Sequence, residues 1–251
     1  MMKFHGKFFI FLLGCSQAIS AQDLRLSLGA DFISGDYGNA TTTDISVLTL
    51  GGKIKADKWT WSASIPYLKI KGNRVTVDGV PIGAPISSTE KGWGDLTLSG
   101  AYLGYYDKVS GLGISGKIKI KLPVADEDKG LGTGETDYSM QLDPFKVVGD
   151  TTWFGSVGYK VYGDTDTTDY NNVFYASVGA IEKLNPALNL GLGLTGRQKV
   201  TDTGAPKKEA FLFGSYKIST IDTVNFHVIK GFSDASPDWG AGLNYSHSFQ
   251  Q

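Results

Sequence analysis

The strongest constraint on the fold is a two-residue alternation of apolar and polar side chains that recurs along most of the chain. Leucines alternate with polar residues and glycines in the runs 23–33 and 187–198, and isoleucines alternate with lysines in the run 112–122. A period of two directs one set of side chains to each face of a β-sheet. Runs of about ten residues with one polar face are typical of transmembrane β-barrels.

About twelve such runs predict an all-β fold, a transmembrane antiparallel up-and-down β-barrel. The predicted strands are 23–33, 45–55, 59–70, 95–106, 112–122, 137–147, 152–162, 172–182, 187–198, 209–218, 223–230 and 239–249. The connections alternate in length: 56–58 and 149–150 are short, whereas 71–94 and 123–136 are long. Bacterial outer-membrane barrels combine short periplasmic turns with longer extracellular loops. Both termini of the chain are therefore predicted to face the periplasm.

The N-terminal segment 1–21 is predicted to be a cleaved secretory signal peptide, which leaves 22–251 as one outer-membrane β-barrel domain. Two lysines precede an apolar run at 8–13 that is too short to span a bilayer as a helix, and small residues follow it up to Ala21. An alternative is that Cys15 lies in a lipoprotein cleavage box and is lipidated. Cleavage after Ala21 removes the single cysteine of the chain and leaves no disulfide.

The lysines of the run 112–122 indicate which face of the sheet meets lipid. Each lysine that faces lipid near the middle of the bilayer would cost roughly 2–4 kcal/mol, so these side chains are predicted to face the lumen. Polar residues of the next strand share that face, close enough for cross-strand pairing. The candidate lumen residues are Lys117, Lys119, Lys121, Asp137, Gln141, Asp143, Asn189, Arg197 and His227. They either brace the wall or select among solutes.

Aromatic side chains fall near the ends of the predicted strands. The candidate girdle residues are Trp59, Trp61, Trp93, Trp153, Trp239 and Phe249. Amphipathic rings are favoured at the two interfaces between membrane and water. The alternative, the core of a soluble β-sandwich, explains neither the placement of these rings nor the alternating lengths of the connections.

Charge and motif content argue against several other classes of protein. Without the signal segment the chain carries 22 basic and 25 acidic residues, a formal charge of −3, which argues against nucleic acid as a partner. The sequence shows no phosphate-binding loop, zinc spacing or catalytic motif, so we predict no metal, no cofactor and no enzymatic activity. The expected partners are outer-membrane lipid, the barrel assembly machinery and a small-molecule solute.

Four short stretches resemble the meta-pathway phenol-degradation family of outer-membrane proteins. They are Ile-Pro-Tyr-Leu at 65–68, Gly-Trp-Gly-Asp-Leu at 92–96, Lys-Leu-Pro at 121–123 and Gly-Leu-Gly-Thr-Gly at 130–134. The resemblance extends over most of the mature chain. It implies a transporter-like, porin-like barrel in the outer membrane of a Gram-negative bacterium that helps hydrophobic or aromatic compounds to cross.

Three functions remain open at this stage: a channel or transporter for small molecules, a structural or surface-contact barrel with no open pore, and an outer-membrane lipid-modifying enzyme. Barrels of about eight strands are filled by side chains, and those of sixteen to eighteen strands enclose an aqueous channel. In a barrel of about twelve strands, the size of the lumen side chains therefore determines whether a solute can pass. The segment 71–94 either extends a hairpin above the membrane or plugs the lumen. The segment 123–136 is expected to be a flexible loop over the outer mouth.

Overall fold

The computed structural model describes residues 23–72, 75–77, 80–82, 89–166 and 168–250. Its strands are β1 (Asp23–Gly35), β2 (Thr43–Ala56), β3 (Trp59–Lys71), β4 (Val75–Val77), β5 (Val80–Ile82), β6 (Thr89–Trp93), β7 (Leu96–Tyr106), β8 (Leu112–Leu122), β9 (Asp137–Val148), β10 (Thr151–Val161), β11 (Val173–Lys183), β12 (Leu188–Arg197), β13 (Lys207–Lys217), β14 (Asp222–Gly231) and β15 (Trp239–Gln250). None of the described residues belongs to a helix that is long and apolar enough to cross a bilayer.

Twelve of these strands close into an antiparallel up-and-down barrel. Each long strand pairs with its neighbours in sequence, and β1 closes the ring by pairing with β15 on one side and β2 on the other. The predicted fold class is thus confirmed, and the ends of the predicted strands differ from the observed ones by at most two residues. The predicted signal segment 1–21, with Cys15, lies outside the described residues.

The predicted connection 71–94 is partly strand, which agrees with the alternative of an extended hairpin. This segment contains the β4–β5 hairpin and β6, which pairs with the far half of β3 while β7 pairs with its near half. The strands β6 and β7 are therefore one strand interrupted at 94–95, opposite Pro66. Proline has no N–H to donate to a ladder, and here its carbonyl accepts the N–H of Gly94 at 2.8 Å. Whether the remainder of the segment plugs the lumen concerns side chains outside the described residues.

Apolar side chains cover the outer face of the barrel. Leu28, Met140, Val178 and Leu192 are 53%, 66%, 58% and 64% exposed at mid-strand. Apolar side chains at the middle of a sheet are normally buried, and a band of exposed ones around a closed barrel is the surface that lipid covers. The alternate residues of the same strands point into the barrel.

The six candidate girdle residues are all exposed on this outer face. Trp59, Trp61, Trp153 and Phe249 lie near the short turns, and Trp93 and Trp239 lie near the long connections. Several contact other rings: Trp59 stacks on Trp61 with ring centres 5.2 Å apart, and Trp93 meets Tyr67 edge-on at 5.4 Å. Their contact with the membrane interfaces stays a prediction.

Candidate functional site

The candidate functional site is a cavity inside the barrel, in the half that carries the long connections, which we call the loop end; the opposite half is the turn end. The cavity has a volume of about 550 Å³, and strands from both sides of the barrel contribute to its wall. Its charged lining residues are the cations Lys119, Lys121, Lys160, Arg197 and Lys207 and the carboxylates Asp95 and Asp137. It is therefore a basic cavity.

A chain of ion pairs crosses one wall of the basic cavity. The ammonium of Lys121 lies 3.1 Å from Asp95 and 3.3 Å from Asp137, and Lys160 lies 3.2 Å from Asp137. The side chain of Asp137 is only 5% exposed. A carboxylate so deeply buried remains charged only where cations or hydrogen-bond donors replace water. The two lysines supply these contacts from the strands on either side of it.

Lys160 also belongs to a second group of cations, which surrounds Tyr162. A guanidinium nitrogen of Arg197 donates to the hydroxyl of Tyr162 at 3.3 Å, and the ammonium of Lys160 lies 4.1 Å from the centre of its ring. An ammonium over an aromatic face is held by the ring quadrupole. On β13, Lys207 lies 3.0 Å from Glu209.

The other sequence-predicted lumen residues lie closer to the turn end. Lys117 lies 3.7 Å from Asp143, which also accepts a hydrogen bond from the side-chain amide of Gln141. The hydroxyl of Tyr175 donates to the amide oxygen of Gln141 at 2.9 Å. Lys117, Asp143 and Gln141 thus form one network with Tyr175. The sequence alone did not identify this tyrosine as a lumen residue.

Two predicted residues lie apart from the basic cavity. His227 lies 3.4 Å from Asp31, and the side-chain amide of Asn189 donates to the hydroxyl of Ser215 at 3.0 Å. Neither residue lines the basic cavity.

Sequence reasoning missed a row of rings on the inner face, which we call the aromatic wall: Phe154, Tyr175, Phe211 and Phe213. Each ring lies over a glycine of the neighbouring strand that is directly opposite in the ladder. The rings of Phe154 and Phe213 meet edge-on with centres 5.9 Å apart, and those of Phe211 and Phe213 are 5.7 Å apart. The glycines have no side chains, so the rings pack directly against the backbone of the neighbouring strand.

The glycines under the aromatic wall are expected to be intolerant of any side chain. A Cβ at Gly193 would lie 2.5 Å from a ring carbon of Phe211 and 2.8 Å from the carbonyl oxygen of Val178, which cannot move without breaking the ladder. We expect Gly193→Ala to lower the free energy of unfolding by about 1–3 kcal/mol, as overpacking does. Gly196→Ala is the matched control on the same strand, because its Cβ would meet nothing closer than 3.7 Å. Urea titrations in lipid vesicles measure both, and equal stabilities would contradict the close packing.

The segment 123–136, which we call the mouth loop, folds into the opening at the loop end. Leu131 is 1% exposed and packs against the inward-facing Ile45, Leu68 and Ile70. The loop is also tied by polar contacts: the ammonium of Lys121 donates to the hydroxyl of Thr133 at 2.9 Å, and Asp95 accepts the N–H of Ala125 at 3.2 Å. The segment is expected from the sequence to be a flexible loop over the mouth, and this expectation is wrong, because the loop packs against the inner face of the barrel.

One carboxylate of the mouth loop, that of Asp126, is held by a local partner. Lys129 donates to Asp126 at 2.7 Å and this hydrogen bond holds the pKa of the Asp126 carboxyl below its ordinary value. Within the described part of the chain, no group of three or more His, Cys, Asp or Glu residues is placed to hold a metal ion.

Comparisons with solved structures identify the fold. An outer membrane channel from Pseudomonas putida F1 superposes with a TM-score of 0.70 at 14% identity, over 93% of this chain and 97% of that one. The KdgM porin gives a TM-score of 0.56 at 10% identity, over 90% and 99% of the two chains. The translocator domain of the autotransporter NalP from Neisseria meningitidis gives 0.56 at 11% identity, over 94% and 91%. The fold is that of outer-membrane β-barrels.

Comparisons of sequence identify the family. The comparison with curated proteins gives no significant match. The family described as "Putative MetA-pathway of phenol degradation" matches residues 39–249, from the β1–β2 connection to the last strand of the barrel. This match spans most of the chain and includes all four stretches on which the resemblance was based. The chain belongs to the MetA-pathway phenol-degradation family.

Proposed function

We propose that the protein is an outer-membrane channel through which small molecules diffuse across the barrel. The observation that carries this proposal is the basic cavity, which lies inside a closed barrel and draws its wall from strands on both sides. A lumen packed only for stability would be filled by side chains, as in barrels of about eight strands. Two structures with the same fold are described as a channel and a porin.

The aromatic wall supports solutes with apolar or aromatic bodies. Its four rings turn one side of a polar lumen into an apolar surface, and ring faces attract planar apolar molecules. The name of the family points to the same class of compounds. The solute therefore combines an apolar part with enough polarity to pass the charged cavity.

A barrel with no open pore is the second candidate, and the mouth loop favours it. Leu131 and its tied loop restrict the opening at the loop end. In that case the barrel serves only to display its loops. The two candidates differ in one measurement, the ion current through the purified protein in a planar bilayer.

A lipid-modifying enzyme is the third candidate, and the positions of the two histidines in the described part of the chain argue against it. His227 pairs with Asp31 on the inner face, and His247 lies 2.8 Å from Asp222 near a short turn. Neither lines the basic cavity. A general base must lie within hydrogen-bond reach of its nucleophile and its substrate.

The channel proposal predicts a charge-dependent ion selectivity. Lys119 lines the cavity and Lys117 lies next on the same face toward the turn end. Cations in a confined lumen raise the local concentration of anions, most strongly at low salt. Replacing both lysines by glutamine is expected to shift the reversal potential toward cation selectivity at low salt. The measurement is the reversal potential under a salt gradient in planar bilayers.

The control for this experiment is Lys199→Gln, which removes one charge from an exposed connection outside the cavity. It is expected to leave the selectivity unchanged. If the double variant conducts with the selectivity of the wild type, the lysines only brace the wall. If the wild type itself carries no current, the channel proposal is wrong.

A further inference from the structure

We infer that the preferred solute of this channel is a small anion with a planar aromatic body, whose charged group lies among the cations of the basic cavity and whose ring lies against Tyr175. The inference rests on the proposed function and deepens it, because it names the class of solute. It follows from the charge of the cavity, from the aromatic wall and from the order in which the two occur along the same strands.

The charge of the cavity selects the sign of the solute. Five cations and two carboxylates line it, and Glu209 beside Lys207 adds a third carboxylate. The local balance is therefore two positive charges. Ion pairs such as that of Lys121 with Asp137 lower this field without cancelling it. In a confined site, such an excess attracts anions and repels cations.

The ladder registers place the aromatic wall directly beside the cations. Tyr175 on β11 is directly opposite Arg197 on β12, so the first ring and the guanidinium are neighbours. On β13, Phe211 follows Lys207 by four residues toward the turn end, about 13 Å along a strand. The sequence of groups from the loop end is thus cation, tyrosine ring and then the phenylalanine rings.

The geometry of Tyr175 suits a ring-bearing solute. Its ring lies over Gly158, which has no side chain, and its hydroxyl is held by Gln141 at 2.9 Å. The ring face is therefore fixed along the lumen wall. A planar solute with its anionic group near Arg197 places its own ring beside this face, where aromatic pairs attract each other. An aliphatic anion lacks the second contact, and a neutral aromatic molecule lacks the first.

The test compares two sulfonates that stay ionised at neutral pH, one with a phenyl ring and one with a methyl group on the same charged group. Benzenesulfonate and methanesulfonate are added to the wild-type channel in planar bilayers, and each is titrated for block of the chloride current. Benzenesulfonate is expected to reach half block at a concentration about tenfold lower than methanesulfonate, because it makes both contacts.

Paired variants separate the two contacts. Tyr175→Leu is expected to raise the half-blocking concentration of benzenesulfonate and leave that of methanesulfonate unchanged, whereas Tyr175→Phe keeps the ring and the block. Arg197→Gln is expected to raise both concentrations, and Arg197→Lys to keep most of the block. Heat-modifiable mobility in gel electrophoresis shows that each variant has folded.

The outcomes separate the inference from the proposed function. A wild-type channel that conducts and is blocked equally by both sulfonates overturns the inference and leaves the channel intact. Equal block in Tyr175→Leu and the wild type also overturns it. A folded wild-type protein without current overturns the channel proposal and the inference together.

Discussion

Replacing Val178 by arginine is expected to prevent stable insertion of the barrel, whereas the same replacement at Ser177 is expected to be tolerated. The two residues are neighbours in the middle of β11 and point to opposite faces. Val178 is 58% exposed on the outer, apolar face. An arginine facing the middle of the bilayer costs about 2–4 kcal/mol, a large part of the stability of a typical domain.

Ser177 is the matched control because it differs only in the face that receives the charge. Its hydroxyl lies 2.5 Å from that of Ser156 on the inner face, and losing such a hydrogen bond costs about 1 kcal/mol. Folding into lipid vesicles, followed by heat-modifiable mobility and urea titration, measures both variants. Equal folding of the two would show that the assignment of inner and outer faces is wrong.

The alternation predicted the strands because the membrane enforces it at nearly every position. A lysine on the lipid side is costly, so a strand such as 112–122 has only one face on which its three lysines are acceptable. The strand order then follows from short turns, which allow only antiparallel neighbours. The strands and their faces can therefore be predicted from the sequence, because the membrane restricts which residues each face can carry.

The aromatic wall escaped prediction because β13 is apolar on both faces. Phe211 and Phe213 alternate with Ala210 and Leu212, so a period of two gives no preference for either face. The inward direction of these rings follows from the pairing register of β12 and β13, in which Gly193 and Gly191 lie opposite the two phenylalanines on the inner face. A glycine opposite an aromatic ring is visible only once the pairing of strands is known.

The interruption between β6 and β7 and the packing of the mouth loop depend on contacts between distant segments. Pro66 marks a missing donor in β3, yet the sequence does not say which later residue lies opposite it. Leu131 is one apolar residue among glycines and polar residues, and it becomes a core residue only because β2 and β3 turn Ile45 and Leu68 inward at the same height. Local patterns carry no information about such contacts.

Replacing Leu131 by alanine is expected to raise the ion current strongly while leaving the barrel folded. Its side chain is buried against Ile45, Leu68 and Ile70 at the opening, where it holds the mouth loop in place. Replacing a buried leucine by alanine typically costs about 2–5 kcal/mol. In this protein the substitution is expected to destabilise the packed position of the mouth loop and not the barrel, because the strands keep their ladders and their lipid contacts.

A loss of this size changes the population of loop positions more than tenfold, since about 1.4 kcal/mol corresponds to a factor of ten. The measurement is single-channel conductance and open probability of Leu131→Ala in planar bilayers. Val124→Ala is the control, because Val124 belongs to the same loop and is 48% exposed. A current that is the same in both variants would show that the mouth loop does not limit the passage. A higher current in Leu131→Ala alone would identify the apolar contact of one side chain as the restriction at the loop end.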